Sequence, residues 1–122
     1  MKSLSGKLSV IIIGITVMLT ILMSLRAFAV SIGQEGILES GAELVPVAVS
    51  KEAFDEWTKA RVANDKYGMG LLLASGKILT PKRGTKVLVI DRATFIRKVR
   101  ILEGEYIGMS GWVAMEYVKD VK

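Results

Sequence analysis

Apolar residues fall along this chain in three regimes. The first is an unbroken run, LSVIIIGITVMLTILMSL at 8–25, which carries no charge. At a rise of 1.5 Å per residue those 18 positions span roughly 27 Å as a helix, close to the hydrocarbon thickness of a bilayer. The run is too long and too uniformly apolar for the buried side of a helix in a small domain. It predicts a leader helix that meets a membrane.

The second regime has a helical period. Ala53, Trp57, Ala60, Asn64 and Tyr67 recur at steps of four and three, with Asp55, Lys59, Val62 and Lys66 on the opposite side. Ser50 suits an N-cap, Glu52 lies in the first turn where the helix dipole favours a carboxylate, and Gly76 suits the C′ position. The spacing predicts an amphipathic helix over 50–76. It runs unbroken from Lys51 to Ser75 or breaks near Gly68; Phe54 and Trp57 read as a ligand-facing patch or, the expectation here, as packing of the helix against the barrel.

From Lys77 onward the period is two. Lys77–Pro81 reads as a strand and Lys82–Thr85 as a turn. Val87-Leu88-Val89-Ile90 is apolar on both faces and predicts a central strand over Lys86–Ile90. Asp91–Thr94 reads as a turn, and Phe95–Leu102 alternates. Gly108 to Gly111 is a tight turn, Trp112–Ala114 a fourth strand, Met115–Tyr117 one 3₁₀ turn and Val118–Val121 a last strand. Short strands joined by local turns suit a small closed barrel better than a sandwich. Between leader and helix, Gly33, Gly36, Gly41 and Pro46 alternate with Glu35, Glu39 and Glu43, which predicts a spacer with room for a short strand at Leu44–Val49. The expected architecture is therefore mostly β with one helix: a leader at 1–29, a spacer at 30–49, the helix at 50–76 and the barrel at 77–122.

Charge sharpens the picture of the leader. Of 122 residues, 17 are basic and 12 acidic. Lys2, Lys7 and Arg26 lie in or beside the leader, and removing those three cations from the net charge of +5 leaves +2 for the remainder. That mild excess argues against nucleic acid as a partner. Positive residues before the apolar run predict a cytoplasmic N-terminus and a C-terminal part outside. Ala27-Phe28-Ala29 fits the small-x-small pattern of signal peptidase. Two readings follow. Cleavage after Ala29 exports the rest to the periplasm or beyond, whereas retention leaves a single-pass protein held in the membrane by residues 8–25.

The chain has no cysteine and no histidine. Disulfides, cysteine- and histidine-based zinc sites, His-based triads and Cys nucleophiles are excluded. Nothing in the pattern supplies a tuned acid, base or nucleophile, so neither enzymatic activity nor a cofactor or metal is expected.

Gly84-Thr85-Lys86-Val87-Leu88-Val89, Lys98-Val99-Arg100-Ile101 and Gly108-x-x-Gly111-Trp112-Val113 together resemble the bacterial SH3-like (SH3b) domains over the segment 77–122, well over a third of the chain. The resemblance implies a small SH3-like barrel. In that family such barrels often follow a signal peptide and often bind cell-wall peptides or partner proteins. Trp112-Val113-Ala114-Met115-Glu116-Tyr117-Val118 is similar to the closing segment of eukaryotic SH3 domains, which implies a groove at Tyr117. Ala114 and Glu116 depart from that segment at its Pro and Asn positions.

The expected function is that of an exported, envelope-located binding module that recognises a peptide or protein partner, a cell-wall peptide included. The expected surface combines Tyr106, Trp112 and Tyr117 with the basic strands beside them, notably Arg97 and Arg100. Between Lys77 and Arg100 eight cations face one acid, Asp91. A structural subunit, anchored by its leader in a larger envelope assembly, is the expectation from a different class.

Overall fold

The computed structural model describes residues 30–121. The leader expected at 1–29 lies outside the described residues. Among those described, no helix is long and apolar enough to cross a membrane.

The chain folds into a curled sheet of seven strands backed by two helices. The strands are β1 (Glu35–Leu38), β2 (Val47–Ala48), β3 (Ile78–Leu79), β4 (Lys86–Ala93), β5 (Ile96–Ile101), β6 (Ser110–Ala114) and β7 (Val118–Asp120). Helices α1 (Lys51–Val62) and α2 (Lys66–Ala74) lie between β2 and β3, and a single 3₁₀ turn, Met115–Tyr117, joins β6 to β7. The sheet order is β3-β2-β6-β5-β4-β1-β7, and every pairing is antiparallel. The two ends, β3 and β7, are not paired to each other, so the sheet forms a half-barrel rather than the closed cylinder expected.

Residues 30–49 are not a spacer. Their β1 lies between β4 and β7, with Gly36 opposite Val87 on one side and Asp120 on the other. Their β2 joins β3 to β6. The glycine that makes this segment look like a linker is a packing requirement. A Cβ at Gly36 would lie 2.8 Å from Val118 Cγ1 and 2.9 Å from the Lys119 carbonyl oxygen.

Alternation divides the buried residues between two cores. Inside the curl sit Leu38, Val45, Val47, Leu79, Val87, Val89, Val99, Ile101, Val113 and Val118. On the convex side, Ala48 and Ile78 meet Ala53 of α1 and Leu72 of α2, with Phe54 and Trp57 packed around them. Strands β2 and β3 thus bury both faces: Val47 and Leu79 point inward while Ala48 and Ile78 point to the helices.

The single helix expected over 50–76 is two helices. Ser50 caps α1, its hydroxyl accepting from Ala53 N at 3.0 Å. The break falls at Asn64, not at Gly68. Asn64 adopts φ 52°, its N–H donates to Arg61 O, and Asp65 N–H donates to Ala60 O. That is a Schellman stop with asparagine in the glycine position. Asp65 then restarts the chain as the N-cap of α2, accepting from Gly68 N at 2.9 Å. Gly76 ends α2 with the same double bond pattern, as the sequence suggests.

Strand β4 continues to Ala93 through the segment expected to turn at Asp91. A bulge between Val89 and Asp91 makes this possible. It shifts the alternation by one, so Asp91 pairs with Lys98 and Arg92 with Arg97. The turn itself is the two-residue loop Thr94-Phe95.

Candidate functional site

Helix α1 crosses the convex face of the sheet beside Trp112, and the space between them continues as a groove of about 540 Å³. Its floor includes Ile96 and Ala114, a cross-strand pair of β5 and β6. One wall is a stripe of α1 at helical spacing: Phe54, Trp57, Thr58 and Arg61. The other consists of the 3₁₀ turn, through Met115, Glu116 and Tyr117, and the hairpin tip Thr94-Phe95. The volume lies in the range of small-ligand and peptide side-chain sites, and the lining is apolar with a few polar groups at its margins.

Two features of this groove carry an energetic cost within the protein alone. The indole Nε1 of Trp57 is buried without an acceptor. Burying an N–H in that way costs about 1–3 kcal/mol. Phe95 adopts φ 64° and leaves 73% of its surface in solvent. A left-handed residue without glycine's freedom costs about 1–2 kcal/mol, and here no burial compensates. The conformation is held by neighbours: Met115 N–H donates to Phe95 O at 2.9 Å, and Arg97 Nη1 donates to the carbonyls of Ala93 and Ile96 at 3.3 and 2.9 Å.

The residues singled out from sequence are dispersed. Tyr117 lies in the groove, half-buried, its hydroxyl accepting from Arg61 Nη1 at 3.4 Å. Tyr106 lines a different depression with Leu44, Thr80 and Pro81, its hydroxyl 3.3 Å from Thr80 Oγ1. Trp112 is 7% exposed, with the Lys51 ammonium 4.8 Å from its ring centroid, so it serves as packing under the start of α1. Arg97 lines a concavity of about 410 Å³ at the hairpin tip. Arg100 is exposed near the end of β5, opposite Leu88 and Ser110. The structure does not bring Tyr106 and Tyr117 into one groove.

Sequence reasoning missed Phe95, Arg61 and Met115. Phe95 reads as the first residue of an alternating strand, and nothing local marks Thr-Phe as a loop. Arg61 and Met115 become neighbours only when α1 is laid across the sheet. Among the described residues, no cluster of three or more carboxylates that could hold a metal ion occurs. No family model, no curated protein and no solved structure matches the chain.

Proposed function

We propose that this chain is a non-catalytic binding module of the cell envelope, delivered outside the cytoplasm by its leader, in which an SH3-like half-barrel holds a peptide or protein partner. The observation that carries this reading is the apolar groove between α1 and the sheet, with an exposed, conformationally strained Phe95 at its lip. A large apolar side chain held in solvent in an unfavourable backbone region is better explained by contact with a partner than by folding. The SH3-like reading is supported by consecutive hairpins β4–β5–β6 followed by one 3₁₀ turn and β7. Export is supported by the uncharged run 8–25 and the cations before it.

Two measurements test the two halves of the proposal. Fractionation with intact-mass determination should find the chain at or beyond the membrane, either whole or beginning after Ala29; an intact cytoplasmic chain would refute export. Displayed random peptides should be retained by the full chain in detergent micelles, and Tyr117→Ala should weaken retention about tenfold, as expected on removing a hot-spot aromatic. Equal retention by wild type and Tyr117→Ala removes the groove from consideration.

A second reading, a structural subunit of a larger envelope assembly, is favoured by one feature: Val62, Tyr67, Leu71 and Leu73 around α2 are exposed. It requires a detergent-extracted complex larger than the monomer that Leu71→Glu dissociates.

A further inference from the structure

We infer that the partner in the groove is an acidic peptide, one whose apolar residue enters the groove while a neighbouring carboxylate reaches Arg92 and Arg97. This inference rests on the binding-module reading and narrows its ligand.

The groove does not end at the hairpin tip. Thr94, Phe95 and Met115 line both it and the smaller concavity beyond, which also contains Arg92 and Arg97. The three residues form a low ridge between an apolar compartment and a cationic one. The bulge in β4 creates the cationic compartment, because it places Arg92 directly opposite Arg97 on the same face. Like charges opposite one another in an antiparallel pair are unfavourable. The ion pairs among the described residues, Lys77–Glu56 and Arg83–Glu39, involve neither arginine. Arg97 is already oriented: one of its nitrogens is held by two carbonyls of the turn, leaving the remaining donors of the fork available. A carboxylate between two guanidinium groups would relieve their repulsion and gain charge-assisted hydrogen bonds.

An extended peptide matches this layout better than a lipid surface. Successive side chains of an extended chain can occupy separate compartments on either side of a ridge, whereas a bilayer needs a convex or flat face. The groove also supplies polarity. Glu116 of the 3₁₀ turn and Arg61 of α1 both line it and offset one another, whereas the concavity beyond the ridge holds Arg92 and Arg97 and no acid, so it is the end that favours a ligand carboxylate.

The test is the composition of peptides selected from a random phage-displayed library by the full chain in detergent micelles. Wild-type selections should converge on an apolar residue with Asp or Glu on one side. A synthetic peptide of that kind should lose about three- to fivefold in affinity on Arg92→Gln, and its Glu→Gln counterpart should bind wild type and variant alike. Arg92 is the residue to change because it is exposed, whereas Arg97 braces the turn. Selections rich in apolar residues without acidic enrichment, or equal affinities for wild type and Arg92→Gln, would overturn the acidic preference and leave the groove standing. Selections no better than those by Tyr117→Ala would remove both. In a parallel arm, micelles doped with phosphatidylglycerol that displace the peptide, where micelles doped with phosphatidylcholine do not, would make an anionic lipid surface the occupant and overturn the inference.

Discussion

Among the described residues, the largest fully buried side chains are Leu38, Ile101 and seven valines, and none is aromatic. Valine suits the concave face of a tightly curled sheet, where short, stiff side chains pack without reaching across. The aromatic residues lie around this core: Trp112 is buried under α1, Phe54, Trp57, Tyr106 and Tyr117 pack at the core margins, and Tyr67 and Phe95 are exposed. Phe95 adds a left-handed backbone to its exposure, and the consequence can be measured. Glycine occupies the left-handed region without steric cost, though it loses more chain entropy on folding. With little burial to lose, Phe95→Gly should stabilise the fold by about 0.5–1 kcal/mol, raising the melting temperature by a few degrees for a domain of this size. The same substitution should weaken peptide retention, since it removes the lip of the groove. A melting temperature that falls would show that Phe95 serves the fold, and binding that does not change would remove it from the partner's site.

Single elements were legible in the sequence wherever their determinants are local. Ser50 and Gly76 bound the helical region as read, because a cap and a left-handed terminator act within a few residues. The 3₁₀ turn at Met115–Tyr117 and the alternation of β5 were legible for the same reason. What escaped depends on distant partners. Four residues, Glu35–Leu38, among glycines and glutamates look like a linker until β4 and β7 flank them. The β4 bulge looks like a turn because Asp91 and Arg92 are polar, yet it is the feature that aligns Arg92 with Arg97. Of the site, Tyr117 and Arg97 were legible, whereas Phe54 and Trp57 read first as packing, since their wall belongs to a helix more than fifty residues before Tyr117 in the chain. Gly111 illustrates the same division. It reads as the end of a turn, but it lies inside β6, and a Cβ there would sit 2.5 Å from the Ala48 carbonyl oxygen and 2.8 Å from Val47 Cγ1. The obstacle is largely backbone and cannot swing aside. Gly111→Ala should therefore destabilise the protein by about 2–3 kcal/mol, the upper end for overpacking, seen as a lower urea midpoint with an unchanged slope. A change below about 0.5 kcal/mol would mean that β2 and β6 have room to separate.

At the scale of the whole molecule, the barrel-like segment at 77–122 is not a self-sufficient unit. Strand β7 pairs with β1 and with no other strand, so without residues 30–49 the end of the chain has nothing to bond. The inner core loses Val30, Leu38, Val45 and Val47 in the same step. At about 1.5–3 kcal/mol for each large side chain buried, removing three or four of them withdraws on the order of 5–10 kcal/mol. That is comparable with the entire stability of a typical domain, roughly 5–15 kcal/mol. The helices are implicated as well, because β2 carries Ala48 on its outer face and α1 begins three residues later. A fragment of residues 77–122 should accordingly show no cooperative thermal or urea transition and a collapsed amide spectrum, while residues 30–122 unfold in one step. The spacer-like segment supplies two strands of the sheet and, through Pro46 and Ala48, part of the groove's own lining. The fold and the proposed binding groove thus depend on one segment. Cooperative unfolding of the shorter fragment would separate them and make the N-terminal strands an addition to a finished barrel.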